Sequence, residues 1–211
     1  MSQSADQTLA TATGFVPMRG SRGFSLVELI VVMTVVGIVI GIAVPSYRYV
    51  TNSNRVSAEI NQLLGDMQYA RSEAVKEGST VTVCPSNNAT TSSPSCLTSG
   101  ASWSSGWMVF SDANSDGAYG TGDARLRAQP ALNSNDTLVP SDTGVTYISF
   151  NREGFTAISS TDMSSSSAGL VFKLKVTPAN AQWQRCLQIS YVGIMQTLKG
   201  TTSAGQPCSY P

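Results

Sequence analysis

The sequence predicts an α+β protein: a long N-terminal membrane-spanning helix packed on a small antiparallel, β-sandwich-like globular domain. Three observations predict it. An almost uncharged apolar run occupies residues 24–44, an amphipathic run continues to Gly78, and short β-branched or aromatic runs separated by turn residues follow. The 211 residues are enough for one modest domain and an appendage.

The composition excludes several classes of function. Thirteen Lys and Arg residues balance thirteen Asp and Glu residues, which argues against broad coating of nucleic acid, because phosphate binding needs a surplus of cations. The sequence contains no histidine, so it cannot form a Ser-His-Asp or Cys-His relay or a histidine zinc site. We expect neither enzymatic activity nor a cofactor.

The apolar run FSLVELIVVMTVVGIVIGIAV, residues 24–44, carries a single charge, Glu28. As a helix it would span roughly the 30 Å hydrocarbon core of a bilayer. Arg19 and Arg22 precede it, which predicts a cytoplasmic N-terminal flank and a translocated remainder. A carboxylate in hydrocarbon is costly, so we expect Glu28 to have a partner.

The segment Gly23–Glu28, preceded by the two arginines and followed by an apolar run that ends at Pro45, resembles the class III signal of type IV pilins and type II secretion pseudopilins. The resemblance implies that residues 1–23 are a leader. It also implies cleavage between Gly23 and Phe24 by a prepilin peptidase on the cytoplasmic side, followed by N-methylation of Phe24.

The same resemblance implies roles for two residues of the helix. Glu28 would neutralise the new α-amino group of a neighbouring subunit, so that both charges leave the bilayer paired; the alternative is a tolerated charge near the membrane interface. Pro45 would kink or locally melt the helix, because proline removes an N–H donor and clashes with the preceding turn.

Residues 45–78 have the period of an amphipathic helix. The apolar positions recur at steps of three and four residues, and the charged residues between them, including Asp66 and Arg71, are expected to face water. Gly78 is a suitable helix end. The stretch 67–78 and the strand that follows it, 81–84, resemble the GspH and FimT branch of the pilin family.

Residues 79–211 are expected to form a periplasmic, β-rich domain. The pattern predicts strands near 80–84, 106–111, 124–128, 145–150, 154–158, 169–176, 184–190 and 193–198. Hairpins are predicted at 151–154 and 191–193. Three segments rich in Ser and Thr, at 86–105, 159–168 and 200–206, are predicted to be loops.

Four cysteines, Cys84, Cys96, Cys186 and Cys208, fall in this domain. An extracytoplasmic location favours disulfides. Three pairings are possible, and we prefer Cys84 with Cys96 and Cys186 with Cys208, because each closes a local loop. A metal site is the competing interpretation, but no CxxC spacing and no histidine support it.

One acidic loop fits a calcium-ligand spacing through Asp112, Asn114, Asp116 and Asp123. Its flanks are predicted strands, and its last ligand would be Asp instead of a longer Glu. Because Asp, Asn and Gly are also the residues of a tight hairpin, we favour a structural turn over calcium.

The C-terminal part is locally basic: after Met163 it carries Lys173, Lys175, Arg185 and Lys199 and no acid. A DNA-capturing tip would have this character. FimT proteins that bind DNA carry a GRxR motif in the final hairpin, where this sequence has Gly193–Gln196 and lacks both arginines. Scattered cations on a solvated surface are the alternative, and we expect weak DNA binding.

Three functions are consistent with these patterns. We favour a minor pilin of a type IV pilus that helps to prime or cap the filament. The alternatives are a GspH-like minor pseudopilin of type II secretion and a FimT-like DNA-uptake receptor of a competence pilus. The expected partners are other minor and major pilins or pseudopilins, the prepilin peptidase and an assembly platform in the inner membrane.

Overall fold

The computed structural model describes residues 23–98, 102–132, 136–142, 144–159, 169–175, 183–201 and 208–209. These residues contain one long α-helix and nine β-strands. Contacts within the chain divide it into two compact units, Met1–Ser46 and Tyr47–Pro211.

Helix α1, Leu26–Glu77, begins in the first unit and ends in the second. Its residues up to Ser46 are all exposed. In the described part of the chain it is the one helix long and apolar enough to cross a membrane, by length and composition. Gly78 follows the helix with φ of +66°, the left-handed conformation that commonly ends a helix.

The second unit contains two antiparallel sheets. The five-stranded sheet has the order β3-β2-β1-β5-β6, and the four-stranded sheet has the order β4-β7-β8-β9. The strands are β1 (Thr80–Pro85), β2 (Trp107–Asp112), β3 (Ala124–Gln129), β4 (Thr137–Pro140), β5 (Ile148–Phe150), β6 (Thr156–Ile158), β7 (Leu170–Lys175), β8 (Arg185–Ile189) and β9 (Met195–Lys199). A short 3₁₀ turn, Trp103–Ser105, precedes β2.

The amphipathic half of α1 and the inner faces of both sheets form one apolar core. The helix contributes Val56, Ile60, Leu63, Met67, Ala70 and Ala74. Val83 and Val109 come from the five-stranded sheet, and Phe172 and Leu187 come from the four-stranded sheet. Trp103 lies edge-on to Phe172, with ring centroids 4.8 Å apart. The helix is therefore the element on which both sheets pack, as the sequence predicts.

Each sheet also buries a small apolar cluster on its outer face, and each cluster includes a disulfide. On the five-stranded sheet the cluster contains Cys84, Met108 and Phe110, with Cys96 packed against it. On the four-stranded sheet it contains Val171, Cys186 and Cys208. Both faces of each sheet are therefore at least partly covered.

Within the described residues the predicted strands and both hairpins are confirmed, with differences at β4, β5 and β6. Strand β4 was not predicted, because its four residues end in a proline and carry little periodic signal; it is an edge strand, where proline is tolerated. The strands predicted at 145–150 and 154–158 are shorter, since only Ile148–Phe150 and Thr156–Ile158 pair with a neighbour.

The prediction that the charged residues of the amphipathic helix face water is wrong for Asp66. Only 4% of Asp66 is exposed. Its Oδ2 accepts a hydrogen bond from Trp107 Nε1 at 2.9 Å, and its Oδ1 lies 3.2 Å from Arg127 Nη1. A buried carboxylate is tolerable where such partners replace water.

Candidate processing and assembly site

The residues with implied processing roles lie together at the start of α1. Gly23, Phe24 and Ser25 precede the helix and are exposed. Leu29 N donates to Ser25 O at 3.1 Å, which closes the first turn. The Gly23–Phe24 peptide bond therefore lies outside the helical hydrogen-bond pattern.

Glu28 lies in the first turn of α1 and is exposed. A carboxylate at this position interacts favourably with the unsatisfied N–H groups of the helix N-terminus. Among the described residues, no ion pair includes Glu28. This geometry leaves its carboxylate accessible to a cation from outside the chain.

Helix α1 continues through Pro45 without interruption. The structure therefore shows no local melting at Pro45, and the kink that the pilin resemblance also suggested stays a prediction. A helical proline lacks its own N–H donor, so one hydrogen bond to the preceding turn is lost, and the surrounding hydrogen bonds can maintain the helix.

The acidic loop between β2 and β3 uses its carboxylates for turn formation. Asp112 is buried and accepts hydrogen bonds from Thr82 Oγ1 and Gly117 N, and Asp123 accepts from Ala113 N and Gly120 N. Asn114 Nδ2 donates to Asp116 Oδ2 at 2.7 Å. In the described part of the chain, no group of three or more His, Cys, Asp or Glu residues could hold a metal ion.

The four C-terminal cations divide between the two faces of the four-stranded sheet. Lys173 is opposite Cys186 in the register, whereas Arg185 is opposite both Leu174 and Lys199. Opposite residues share a face and successive residues alternate. Lys173 and Lys175 therefore lie on the outer face, and Arg185 and Lys199 on the face of Leu174. Lys173 Nζ also donates to Ser209 O at 3.1 Å.

The structure pairs Cys84 with Cys96 and Cys186 with Cys208, the pairing that we preferred from the sequence. Hydrogen bonds organise the loop that the first disulfide closes. Asn88 Oδ1 accepts from Ser95 N at 2.9 Å, and Arg125 Nη1 donates to the carbonyls of Ala89 and Thr91 at 2.7 Å each. This part of the Ser-rich segment is a defined cover for the five-stranded sheet.

Arg71 of α1 joins the two sheets, a role that the sequence analysis missed. Its Nε donates to Gly154 O at 3.0 Å in the β5–β6 turn, and its Nη2 donates to Val192 O at 3.2 Å in the β8–β9 turn. Glu153, the residue before Gly154, pairs with Arg152 at 2.9 Å, and this hydrogen bond lowers the pKa of Glu153.

The glycines at these two turns fit closely around Arg71. Gly154 and Gly193 have φ of +81° and +76°. A Cβ added to Gly193 would collide with Gly154 O and lie 2.7 Å from Arg71 Nε. In the sequence, only the turn glycines pointed to this arrangement. The backbone carbonyls that accept hydrogen bonds from Arg71 could not be recognised, because every residue has one.

Two protein-family models match parts of this chain. Residues 59–193, from the middle of α1 to the β8–β9 turn, match the family described as type II transport protein GspH. Residues 18–44 match the prokaryotic N-terminal methylation motif. The chain belongs to the GspH family. GspH-family proteins are structural pilins or pseudopilins, so the membership is consistent with a minor pilin or pseudopilin and with assembly alongside other pilins.

Two individual proteins resemble this chain, one over a short stretch of sequence and one in fold. The chain is 41% identical over 58 residues to type II secretion system protein H of Pseudomonas aeruginosa strain PAO1, a match that covers 34% of that relative and 28% of this chain. The crystal structure of the type IV minor pilin FimU from the same strain has a similar fold, with a TM-score of 0.51 and 20% identity over 74% of this chain and 96% of FimU.

For a GspH-family protein, the methylation motif and the exposed apolar helix are typical of membrane anchoring followed by incorporation into a filament. The residues predicted to act in processing and assembly, Gly23, Phe24 and Glu28, lie at the start of the helix. Pro45 lies one residue before the boundary between the two units.

Proposed function

We propose that this protein is a minor pilin that helps to prime or cap a type IV pilus. The observation that carries the proposal is the exposed Gly23–Phe24 bond followed by an apolar helix whose first turn contains a single accessible carboxylate, Glu28. These features fit a subunit that is cleaved, methylated and then joined to a neighbour. The fold similarity to FimU, a type IV minor pilin, is consistent with a pilus subunit.

In this proposal the prepilin peptidase cleaves before Phe24 on the cytoplasmic side of the inner membrane. The second unit, Tyr47–Pro211, is then periplasmic, where its two disulfides are stable. Glu28 pairs with the α-amino group of Phe24 of an adjacent subunit, which removes the cost of two unpaired charges in hydrocarbon. The assembly platform in the inner membrane moves the paired helices into the filament.

A minor pseudopilin of type II secretion is a second candidate. The 41% identity over 58 residues to type II secretion system protein H favours it. The anchor chemistry is the same in both systems, and the difference lies in which filament receives the subunit.

Deleting the gene in its native host, with two separate readouts, tests the proposal. We expect surface pili in the sheared fraction to fall sharply, protein secretion across the outer membrane to be unchanged, and the wild-type gene to restore pili. Gold-labelled antibodies against the protein should bind at the ends of the filaments and not along their sides. Normal piliation combined with lost secretion would replace the proposed function with the pseudopilin role.

A further inference from the structure

An open groove of about 570 Å³ lies in the second unit between α1 and the β8–β9 turn. Gln68, Arg71, Ser72 and Val75 line it from the helix, and residues 193–195 line it from the turn. Its size is within the range of sites that bury a small ligand or a few side chains. All these residues belong to one compact unit, so the groove is formed within the fold.

The rim of the groove is apolar and open to solvent. Ile194 is 62% exposed and Val75 is 54% exposed. Tyr191 and Phe155 continue the apolar surface beside the turn, with ring centroids 5.6 Å apart. Contiguous exposed apolar side chains of this kind are characteristic of a protein interaction surface.

The wall of the groove contains a cation without a countercharge. Arg71 donates to two backbone carbonyls, Gly154 O and Val192 O, which fix the guanidinium but do not neutralise it. A guanidinium has five N–H donors, and in the described part of the chain Arg71 makes no ion pair. The groove therefore presents a positioned positive charge beside apolar side chains.

We infer that this groove binds an acidic–apolar segment of another pilin subunit: an apolar side chain enters between Val75 and Ile194, and a nearby carboxylate accepts hydrogen bonds from Arg71. The inference rests on the proposed function, because it supposes a filament of several subunits. The charge complementarity favours this occupant, since a fixed guanidinium pairs best with a carboxylate. One cation among apolar walls does not favour a nucleic acid, whose binding relies on many phosphate contacts.

Site-specific photo-crosslinking in the native host tests the inference with the full chain. A photoreactive phenylalanine analogue replaces Ile194 in one strain and Val139, an exposed apolar residue of edge strand β4, in the control strain. After irradiation, we expect the Ile194 strain to yield an adduct with a different pilin subunit. Mass spectrometry should place the crosslinked residue within a few positions of an Asp or Glu. The Val139 strain should not yield this adduct.

The charge requirement has its own variant and control. Arg71→Gln, made in the Ile194 crosslinking strain, should reduce the adduct about tenfold, the effect of losing roughly one charge-assisted hydrogen bond. Lys76→Gln removes an exposed cation of the same helix that pairs with Glu73 and should leave the yield unchanged. Arg71→Gln also disturbs the two turns. A second strain therefore keeps Arg71 and changes the Asp or Glu near the crosslinked residue of the partner to its amide. This change should reduce the adduct yield by a similar factor.

Several outcomes would overturn the inference: an adduct with lipid, with nucleic acid or with a second copy of this chain, no adduct, or an adduct unaffected by both charge changes. The failure of the proposed function is seen separately. If the protein is present in sheared pili and no adduct forms, the groove inference fails and the pilus role stands. If the protein is absent from pili and secretion is lost, the pilus role fails whatever the groove binds.

Discussion

At the scale of single residues, the most informative side chain is Asp66, because the sequence predicted that it faces water and the structure buries it. It lies three residues after Leu63 and four before Ala70, on the packed face of the helix, but the sequence shows no partner for its charge. Its partners, Trp107 and Arg127, come from β2 and β3, far away in sequence. The guanidinium of Arg127 also lies 3.7 Å from the centre of the Tyr69 ring, which adds a cation–π contact. Such a site depends on contacts that periodicity alone does not contain.

Asp66→Ala is expected to reduce the free energy of unfolding of a soluble fragment, Tyr47–Pro211, by about 1–3 kcal/mol, because the Trp107 N–H would remain buried without an acceptor. Asp66→Asn should cost less, since the amide oxygen can still accept that hydrogen bond. Urea unfolding followed by tryptophan fluorescence measures both. Glu153→Ala, in an exposed turn, is the control; a loss no larger than the control's would contradict a structural role for Asp66.

Glu28→Ala should leave cleavage between Gly23 and Phe24 largely intact and reduce incorporation into filaments. The reason is that insertion into the bilayer becomes easier while the α-amino group loses its countercharge. Immunoblots of sheared filaments measure incorporation. Thr34→Ala removes a polar group from the same segment without changing its charge and serves as the control. Wild-type amounts of the Glu28→Ala protein in filaments would count against pairing.

At the scale of elements, helix and strands were predictable from hydrophobic periodicity, because one face of each packs on a common core. The four-residue strand β4 was not, since its pairing with β7 depends on chain topology more than on its own sequence. The burial of Asp136, which pairs with Arg55 at 3.0 Å, was also not predictable, because both partners look like surface residues in isolation.

Cys186→Ser or Cys208→Ser should lower the melting temperature of the Tyr47–Pro211 fragment by an amount consistent with about 2–4 kcal/mol, because either change opens the same loop. The two variants should therefore agree. Calorimetry measures the effect, and peptide mapping without reductant checks the connectivity. A peptide linking Cys84 to Cys186 or Cys208 would show that the pairing is wrong.

At the scale of the whole molecule, the N-terminal methylation motif could be recognised from the sequence because it is short and contiguous. The groove beside Arg71 could not, because it is assembled from the helix and a turn more than a hundred residues later. The cations of the C-terminal region show that residues close together in the sequence can be separated in the fold. They looked like one basic region in sequence, whereas strand register places them on two faces of a sheet.

The Tyr47–Pro211 fragment should bind duplex DNA weakly, with a Kd above about 10 μM near physiological salt, because its dispersed cations can neutralise few phosphates at once. A gel-shift series measures this. Ile194→Arg combined with Gln196→Arg should strengthen binding and steepen its salt dependence. Tight binding by the unaltered fragment, abolished by Lys173→Ala with Lys175→Ala or by Lys199→Ala, would promote the DNA-uptake receptor instead.

The contacts of Arg71 also have a mechanical consequence. Ladder hydrogen bonds hold each sheet together internally, whereas Arg71 holds a turn of each sheet to the same point of α1. Each disulfide closes a loop within its own sheet region, so neither ties a sheet to the helix. Under tension along α1, the load would pass to β1 through the covalent link between Glu77 and Thr80. It would also pass to both sheets through non-covalent contacts, and the arginine would share that part between them near the end of the helix.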